Sequence, residues 1–278
     1  MTVPAFGGVR YSRPFLRAVH PSQRISACLI TLNEERNLSR ALASLKEVAD
    51  EIVLVDAGSI DRTEAIAREH GARFFTRAWT NYAEQKNFAA ACASNDWILS
   101  TDADEELSSA LQSSLLDWKK RKPKALVYEM PRRAWYLGKW IRHSGWYPDF
   151  QRRLYRRDSA RFTGIIHEAL RFAGPPGRLQ GDLLHYTVES FAEHEGKVER
   201  YTTLAAQQMY AAGKRSWRAA VWLATPWSWF QNYFLRGGFL DGYRGALIAQ
   251  MAARSVRLKY SKLGKLIATG KSRRGEIS

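Results

Sequence analysis

From Ile25 to Lys119 the chain alternates short apolar runs with amphipathic ones. Ile25 to Leu32 (ISACLITL) has the length and composition of a buried strand, and Glu35 to Leu45 follows with Leu38, Leu42 and Leu45 on one helical stripe. Glu51 to Val55 predicts a second strand, and Asp61 to His70 a helix closed by Gly71. Ala72 to Phe75, Tyr82 to Ala93, Trp97 to Thr101 and Glu105 to Lys119 continue as strand, helix, strand and helix, the last ending in a basic run before Pro123. Strict alternation argues for an α/β fold, a mainly parallel sheet flanked by helices on both faces.

The alternation stops at Pro123. Ala125 to Arg133, Phe150 to Tyr155, Ala160 to Phe162 and Leu183 to Thr187 read as strands between Gly and Pro turns, a mixed-strand extension of the sheet. From Val188 the pattern is helical, over Glu189 to Ala212, Trp217 to Leu235 and Asp241 to Leu263. Three regions follow: a basic N-terminal arm over 1–24, an α/β domain over 25–187 and a helical C-terminal region over 188–278. There is no internal repeat, and no low-complexity stretch beyond the basic tail Lys271 to Arg274.

The 278 residues are 45% hydrophobic and 25% charged, which excludes a disordered chain and allows a full core. The formal net charge of +16 favours anionic partners, whether nucleic acid, acidic lipid or phosphorylated substrate, without choosing between them. Cys28 and Cys92 have neither metal-ligand spacing nor a disulfide pattern; they read as buried thiols, compatible with a reducing cytoplasm. Met1 to Arg24 has scattered arginines and no continuous apolar stretch, so it reads as a loose arm and not as a signal peptide. No segment approaches the roughly 20 apolar residues of a spanning helix. Ala219 to Phe230 (AAVWLATPWSWF) comes nearest; it contains Pro226 and is flanked by Arg215, Arg218 and Arg236. Such a run suits the headgroup region of a membrane, and equally a core helix of the C-terminal region.

In parallel sheets ligands bind beyond the carboxyl ends of the strands. Three polar clusters fall there: Thr31-Leu32-Asn33-Glu34, Asp56-Ala57-Gly58-Ser59-Ile60-Asp61 and Asp102-Ala103-Asp104-Glu105. In an extended segment, side chains two residues apart share a side, so Asp102 and Asp104 can address one Mg or Mn ion or its bound diphosphate. A bare D-x-D is a weak signal. The plain alternative is an acidic cap for a helix beginning near Glu105.

The order T-L-N-E (31–34), V-D-A-G-S-I-D-R-T (55–63), Q-K-N (85–87) and T-D-A-D-E (101–105) strongly resembles the GT-A-type glycosyltransferases of family 2. Further on, P-D-F-Q-R-R-L (148–154), G-I-I-H-E (164–168) and G-F-L-D-G-Y-R-G (238–245) resemble the WaaE or KdtX group of lipopolysaccharide core glucosyltransferases. The resemblance implies a GT-A, Rossmann-like fold and an inverting transfer of a hexose, glucose being expected, from a nucleoside-diphosphate sugar such as UDP-glucose. It places Thr31, Asn33, Glu34, Asp56, Gly58 and Asp61 near the nucleotide, with Asp56 accepting hydrogen bonds from the base. Lys86 is placed near the diphosphate, and Asp102 and Asp104 meet the ribose and the metal, Asp104 as the direct ligand. Ala57 departs from the usual D-S-G-S or D-N-G-S.

In related enzymes an acid after the D-x-D acts as base and a later histidine completes the metal shell; by chain order these are Asp149 and His167, with Glu168 the rival base. The plain alternatives are a turn residue after Pro148 and a hydrogen-bonded corner at His167-Glu168. The other five histidines read as structural or surface residues. Arg152, Arg153, Arg156 and Arg157 flank Asp149; Arg153 is favoured as a phosphate contact, against a solvated strand face. The expected setting is cytoplasmic and peripheral on an anionic inner membrane, where a lipid-linked saccharide such as the lipopolysaccharide inner core is the acceptor. Polyprenyl phosphate or protein acceptors are the enzymatic alternative. A nucleic-acid-binding protein is the non-enzymatic one, opposed by the acidic clusters, so no nucleic-acid partner is expected.

Overall fold

A computed structural model of the chain describes residues 22–164 and 168–275, with side chains up to Thr269. His167 and almost all of the basic arm lie outside the described residues. The predicted alternation is present as β1 (Ile25–Thr31), α1 (Leu38–Leu45), β2 (Glu51–Asp56), α2 (Thr63–Glu69), β3 (Arg73–Thr76), α3 (Tyr82–Cys92) and β4 (Trp97–Ser100). These strands pair in parallel in the order β3-β2-β1-β4. Side-chain alternation sends Ile25, Ala27 and Leu29 of β1 to one face and Cys28 to the other. Leu38, Leu42 and Leu45 of α1 cover the first face, each fully buried leucine contributing about 1.5–3 kcal/mol. On the second face α3 presents Ala83, Ala89 and Ala90 to Cys28, Val53, Val55 and Ile98. Burial there pushes the Cys28 thiol pKa well up, so it is inert at neutral pH.

After β4 the structure departs from the predicted helix at Glu105. Residues 105–107 form β5 (Glu105–Leu107), and α4 (Ser109–Lys119) starts only after Ser108, whose Oγ accepts from Leu111 N at 3.3 Å. Asp102 and Asp104 therefore do not cap this helix. The extension comprises β6 (Val127–Tyr136), β7 (Lys139–Trp140), β8 (Asp149–Arg156), β9 (Ala160–Thr163), β10 (Ala169–Phe172), β11 (Gly177–Arg178) and β12 (Leu183–Val188). The large sheet runs β3-β2-β1-β4-β8-β6-β12-β5, with β8 antiparallel to both neighbours and β5 antiparallel to β12. Short β7 and β11 also pair with β6, while β9 and β10 form a separate hairpin.

One irregularity matters for the site. Tyr128 pairs with Leu154 and Glu129 with Arg152, so Arg153 is an extra, bulged residue on β8. A bulge re-aims the side chain it carries. Arg153 is buried, whereas Arg152, Arg156 and, just past the strand's end, Arg157 are exposed.

The C-terminal part is helical: α5 (Phe191–Ala211), π-helical turns Ala220–Ala224 and Gln231–Leu235 around α6 (Thr225–Phe230), a 3-10 turn Gly238–Asp241, and α7 (Tyr243–Gly275). Pro226 cannot donate to the turn before it, which fits the widened π geometry there. α7 continues past the expected Leu263 and packs on α5 through Ala206, Leu263 and Ile267. Among the described residues no helix is long and apolar enough to cross a membrane.

Candidate functional site

The parallel register sets Thr31 at the end of β1 opposite Asp56 at the end of β2. The buried Asp56 carboxylate accepts from Thr31 Oγ1 (2.8 Å) and Ser59 Oγ (2.5 Å) on Oδ2, and from Gly58 N (2.8 Å) and Ser59 N (2.6 Å) on Oδ1. With these four donors Asp56 builds the turn and ties the ends of β1 and β2 together. Gly58 takes φ +106, which a residue with a Cβ adopts only under strain.

The two loops are then laced together. Asn33 Oδ1 accepts from Ile60 N (3.0 Å), Asp61 Oδ2 from Glu35 N (3.1 Å), and Glu34 N donates to Thr63 Oγ1 (2.8 Å). Burial opposes ionisation of Asp61, but hydrogen bonds from Thr63 and Glu35 N together lower its pKa. Asn33, Asp56, Gly58 and Asp61 are thus framework. Thr31 and Glu34 reach the cleft that the loops border, a space of about 770 Å³ also lined by Lys86, Asp102, Asp104 and Glu168. That volume lies in the range of small-molecule sites. Another hollow of about 580 Å³, beside α4 and β11, is lined by none of the motif residues.

The Q-K-N sequence on α3 sets one wall. Gln85 Nε2 donates to Arg77 O (3.0 Å), and Asn87 exchanges hydrogen bonds with the Phe162 backbone at 2.9 and 3.0 Å. Between them the buried Lys86 ammonium lies 3.0 Å from Asp102 Oδ1 and 3.2 Å from Glu168 Oε1. From below, Arg153 Nη2 reaches Asp102 Oδ2 at 2.6 Å and Glu105 Oε1 at 2.5 Å. Although burial raises the Asp102 pKa, Arg153 and then Lys86 pull it far below the usual carboxylate range. Arg153 does not line the cleft; its guanidinium is engaged by carboxylates, so the expected phosphate contact is replaced by support for Asp102.

Asp104 differs from its neighbour. No Lys or Arg pairs with it among the described residues; its partner is His185, with Nε2 3.1 Å from Oδ2. This contact follows from β5: His185 of β12 pairs in register with Glu105, the residue after Asp104. His185 was among the histidines expected to be structural, and the unpredicted β5 is the reason. The Glu34 carboxyl is pushed above its ordinary pKa by burial, against the Asn37 hydrogen bond, and further by the negative charge of Asp104, Asp61 and Asp102. A cation would relieve that crowding. Among the described residues no group of three or more His, Cys, Asp or Glu is placed to hold an ion alone. A carboxylate and an imidazole fit Mg or Mn only when diphosphate oxygens and water complete the shell, as these ions commonly accept.

Asp149 occupies a smaller adjoining hollow of about 340 Å³, which shares His185 and Thr187 with the main cleft. Arg132 donates to Asp149 Oδ2 through Nη2 (2.7 Å) and Nε (3.0 Å). Glu168, in contrast, stands on the Lys86 side, next to Asp102. The cleft also takes in residues the motifs did not flag. Trp79 and Tyr82 meet edge to face at 4.8 Å, both about half exposed, and Lys197 and Tyr201 enter from α5. Trp79 and Tyr82 lie within seven positions of Lys86, a spacing that could have pointed to them.

The model of the family described as Glycosyl transferase family 2 matches residues 26–172, the segment that carries the motif residues from Thr31 to Glu168. The chain belongs to that family. It is a glycosyltransferase, and its α/β architecture is the GT-A arrangement expected of such an enzyme. It is 31% identical to the lipopolysaccharide core biosynthesis glycosyltransferase LpsC of Rhizobium meliloti, over 87% of this chain and 94% of that protein. An uncharacterized glycosyltransferase of Rickettsia felis is 28% identical over 90% and 93% of the two chains. Among solved structures, glucosyl-3-phosphoglycerate synthase from Mycobacterium tuberculosis, in complex with Mn2+, UDP and glucosyl-3-phosphoglycerate, aligns with a TM-score of 0.36 at 22% identity. That alignment covers 44% of this chain and half of that one.

Proposed function

We propose that this family 2 enzyme transfers a hexose, glucose by expectation, from a nucleoside-diphosphate sugar such as UDP-glucose to a lipid-linked saccharide of the lipopolysaccharide inner-core type, at an anionic membrane surface. The observation that carries the donor assignment is the division of labour in D-A-D. Asp102 is held between Lys86 and Arg153, while Asp104 faces the cleft with His185 and no competing cation among the described residues. Asp104 and His185 would hold the Mg or Mn ion, which when bound would supply Lewis-acid charge at the leaving diphosphate. Lys86 lies where it can add a second positive charge, and Trp79 with Tyr82 offers an aromatic face for the base.

In the transfer step, an acceptor hydroxyl oxygen bonds to the anomeric carbon as the bond from that carbon to the diphosphate oxygen breaks. The hydroxyl proton passes to a carboxylate on the face opposite the leaving group. Asp149 suits this role better than Glu168, because Arg132 orients it in the adjoining hollow while Glu168 is tied to Lys86 beside the diphosphate position. The relative named for lipopolysaccharide core biosynthesis supports the acceptor class. Transfer to polyprenyl phosphate or protein uses the same donor half-site.

Thermal-shift screening against nucleoside diphosphates and their sugars, with and without Mn, tests the reading, since a ligand of the folded state raises its stability. Stabilisation by a nucleotide sugar, enhanced by Mn and abolished in Asp104→Ala, is the expected result. Salt-sensitive DNA binding with no nucleotide-sugar response would overturn it.

A further inference from the structure

The segment between α5 and α7 turns its apolar side chains outward. In the π-helical turn Ala220–Ala224 and in α6 no residue is buried. Trp222 is 79% exposed, Leu223 71%, Trp227 55% and Leu235 62%. Its aromatic part is joined: Trp227 stacks on Phe230 at 5.8 Å, Phe230 meets Phe234 at 5.2 Å, Phe234 meets Tyr233 at 5.1 Å, and Tyr233 meets Phe239 at 6.4 Å. Scattered exposed apolar residues are ordinary, but a joined set of this kind marks a face that meets an apolar partner. A core-helix reading of this run does not survive that exposure.

Charge selects the partner. From Arg200 to Gly275 the sequence holds fourteen Lys or Arg and one carboxylate, Asp241. That carboxylate is buried and accepts from His143 N at 2.9 Å, so it offsets nothing at the surface. Most of the chain's +16 excess therefore resides here. Arg215, Arg218 and Arg236 are exposed around the aromatic run. A second copy would bring the same positive charge against this face. An anionic bilayer satisfies both features, taking Trp and Phe into its headgroup region and pairing phosphate with Arg and Lys.

We propose that residues 218–243 form the platform by which the enzyme lies on an anionic lipid bilayer, and that the platform sets the acceptor hollow beside the lipid. The link is short and made by hydrogen bonds. Ser144 N donates to Arg236 O at 2.9 Å, and Asp241 holds the His143 backbone; the same loop continues through Gly145, Trp146 and Pro148 to Asp149. The platform rests on the membrane-surface setting proposed above, and not on the identity of donor or acceptor.

Flotation of the full-length protein with vesicles of phosphatidylcholine alone, or with one quarter phosphatidylglycerol, is the test. Binding to the anionic vesicles is expected, weakening with salt, and Trp222→Ser with Leu223→Ser and Trp227→Ser should reduce it at least tenfold while lipid-free donor hydrolysis is unchanged. Arg215→Glu with Arg218→Glu should reduce binding to anionic vesicles specifically. For the unmodified protein, brominated lipid should quench tryptophan fluorescence, which decides the matter even if the triple variant misfolds. Absence of vesicle binding, retention of wild-type binding in a folded triple variant, or dimerisation through this face without vesicle binding would each overturn the platform. Asp104→Ala should still float; donor turnover, read separately, reports on the catalytic reading.

Discussion

His185 Nε2 lies 3.1 Å from Asp104 Oδ2, although 81 positions separate the two residues. The pair is the part of the cleft where a cation meets no protein-borne competitor among the described residues. His185→Ala should lower Mn-dependent donor hydrolysis about 10–100-fold and raise the Mn concentration needed for half activity. A Mn titration of wild type and variant reads this directly. An unchanged midpoint would remove His185 from the ion's shell.

Asp149 and Glu168 are separated by what holds them: Arg132 for the first, Lys86 for the second. Loss of a general base costs roughly 10²–10⁴-fold. Asp149→Asn should therefore lose at least about 100-fold in transfer while UDP-sugar binding, followed calorimetrically, stays within a few fold. Glu168→Gln should weaken donor binding more than it slows transfer. The opposite pattern would exchange the two roles.

The sequence made the first half of the sheet legible because each buried strand is a local apolar run and each helix shows its own stripe, as in Ile25 to Leu32 and Leu38 to Leu45. β5 was not legible. Glu105-Glu106-Leu107 has no strand character of its own and is extended only because β12, some 80 residues later, pairs with it. The same long-range pairing hid His185. Asp56 and Arg153 carry another lesson: the motifs single both out, but only packing reveals that one is held by its own turn and the other bulged beneath Asp102.

Arg153 is buried with two carboxylates on one nitrogen, Asp102 at 2.6 Å and Glu105 at 2.5 Å. Removing one member of such a group leaves uncompensated charge in a poorly solvated place. Arg153→Met should cost about 3–5 kcal/mol of stability in urea unfolding, and Arg153→Lys less, since a single ammonium keeps the charge but not the fork. A midpoint equal to wild type for the Met variant would show that Asp102 and Glu105 do not depend on it.

Glu51 provides an acid-sensitive joint at the opposite end of β2 from Asp56. Burial opposes its ionisation, but hydrogen bonds from Ser26 Oγ (2.5 Å), Ser94 N (2.8 Å) and Arg73 prevail and lower its pKa to about 2. A folded-state value below the unfolded one, about 4.3, gives stability that is complete above that pH and lost as pH falls toward 2. Glu51→Gln should thus destabilise by roughly 2 kcal/mol at pH 7 and by almost nothing near pH 2. Melting curves at the two pH values measure the difference, and a pH-independent deficit would contradict the assignment.

Two of the three glycines of G-F-L-D-G-Y-R-G, Gly238 and Gly245, are explained by closeness of backbones. A Cβ on Gly245 would stand 1.8 Å from Gly238 O, and one on Gly238 would stand 2.6 Å from Asn232 O. Neither obstacle is a side chain that can swing away, so α7 can cross the 3-10 turn only where its surface is bare. Overpacking of this severity costs typically 1–3 kcal/mol or more. Gly245→Ala should lower stability by at least about 2 kcal/mol, and because the turn carries Asp241 it should loosen the 142–145 loop as well. Hydrogen exchange should show that loosening as faster exchange at His143 and Ser144, whose amides are held by Asp241 and Arg236. Gly242→Ala, at φ +64 with open space around it, should cost only the strain of its backbone and leave both amides protected. Equal exchange in the two variants would sever the proposed connection between the helical platform and the loop that leads to Asp149.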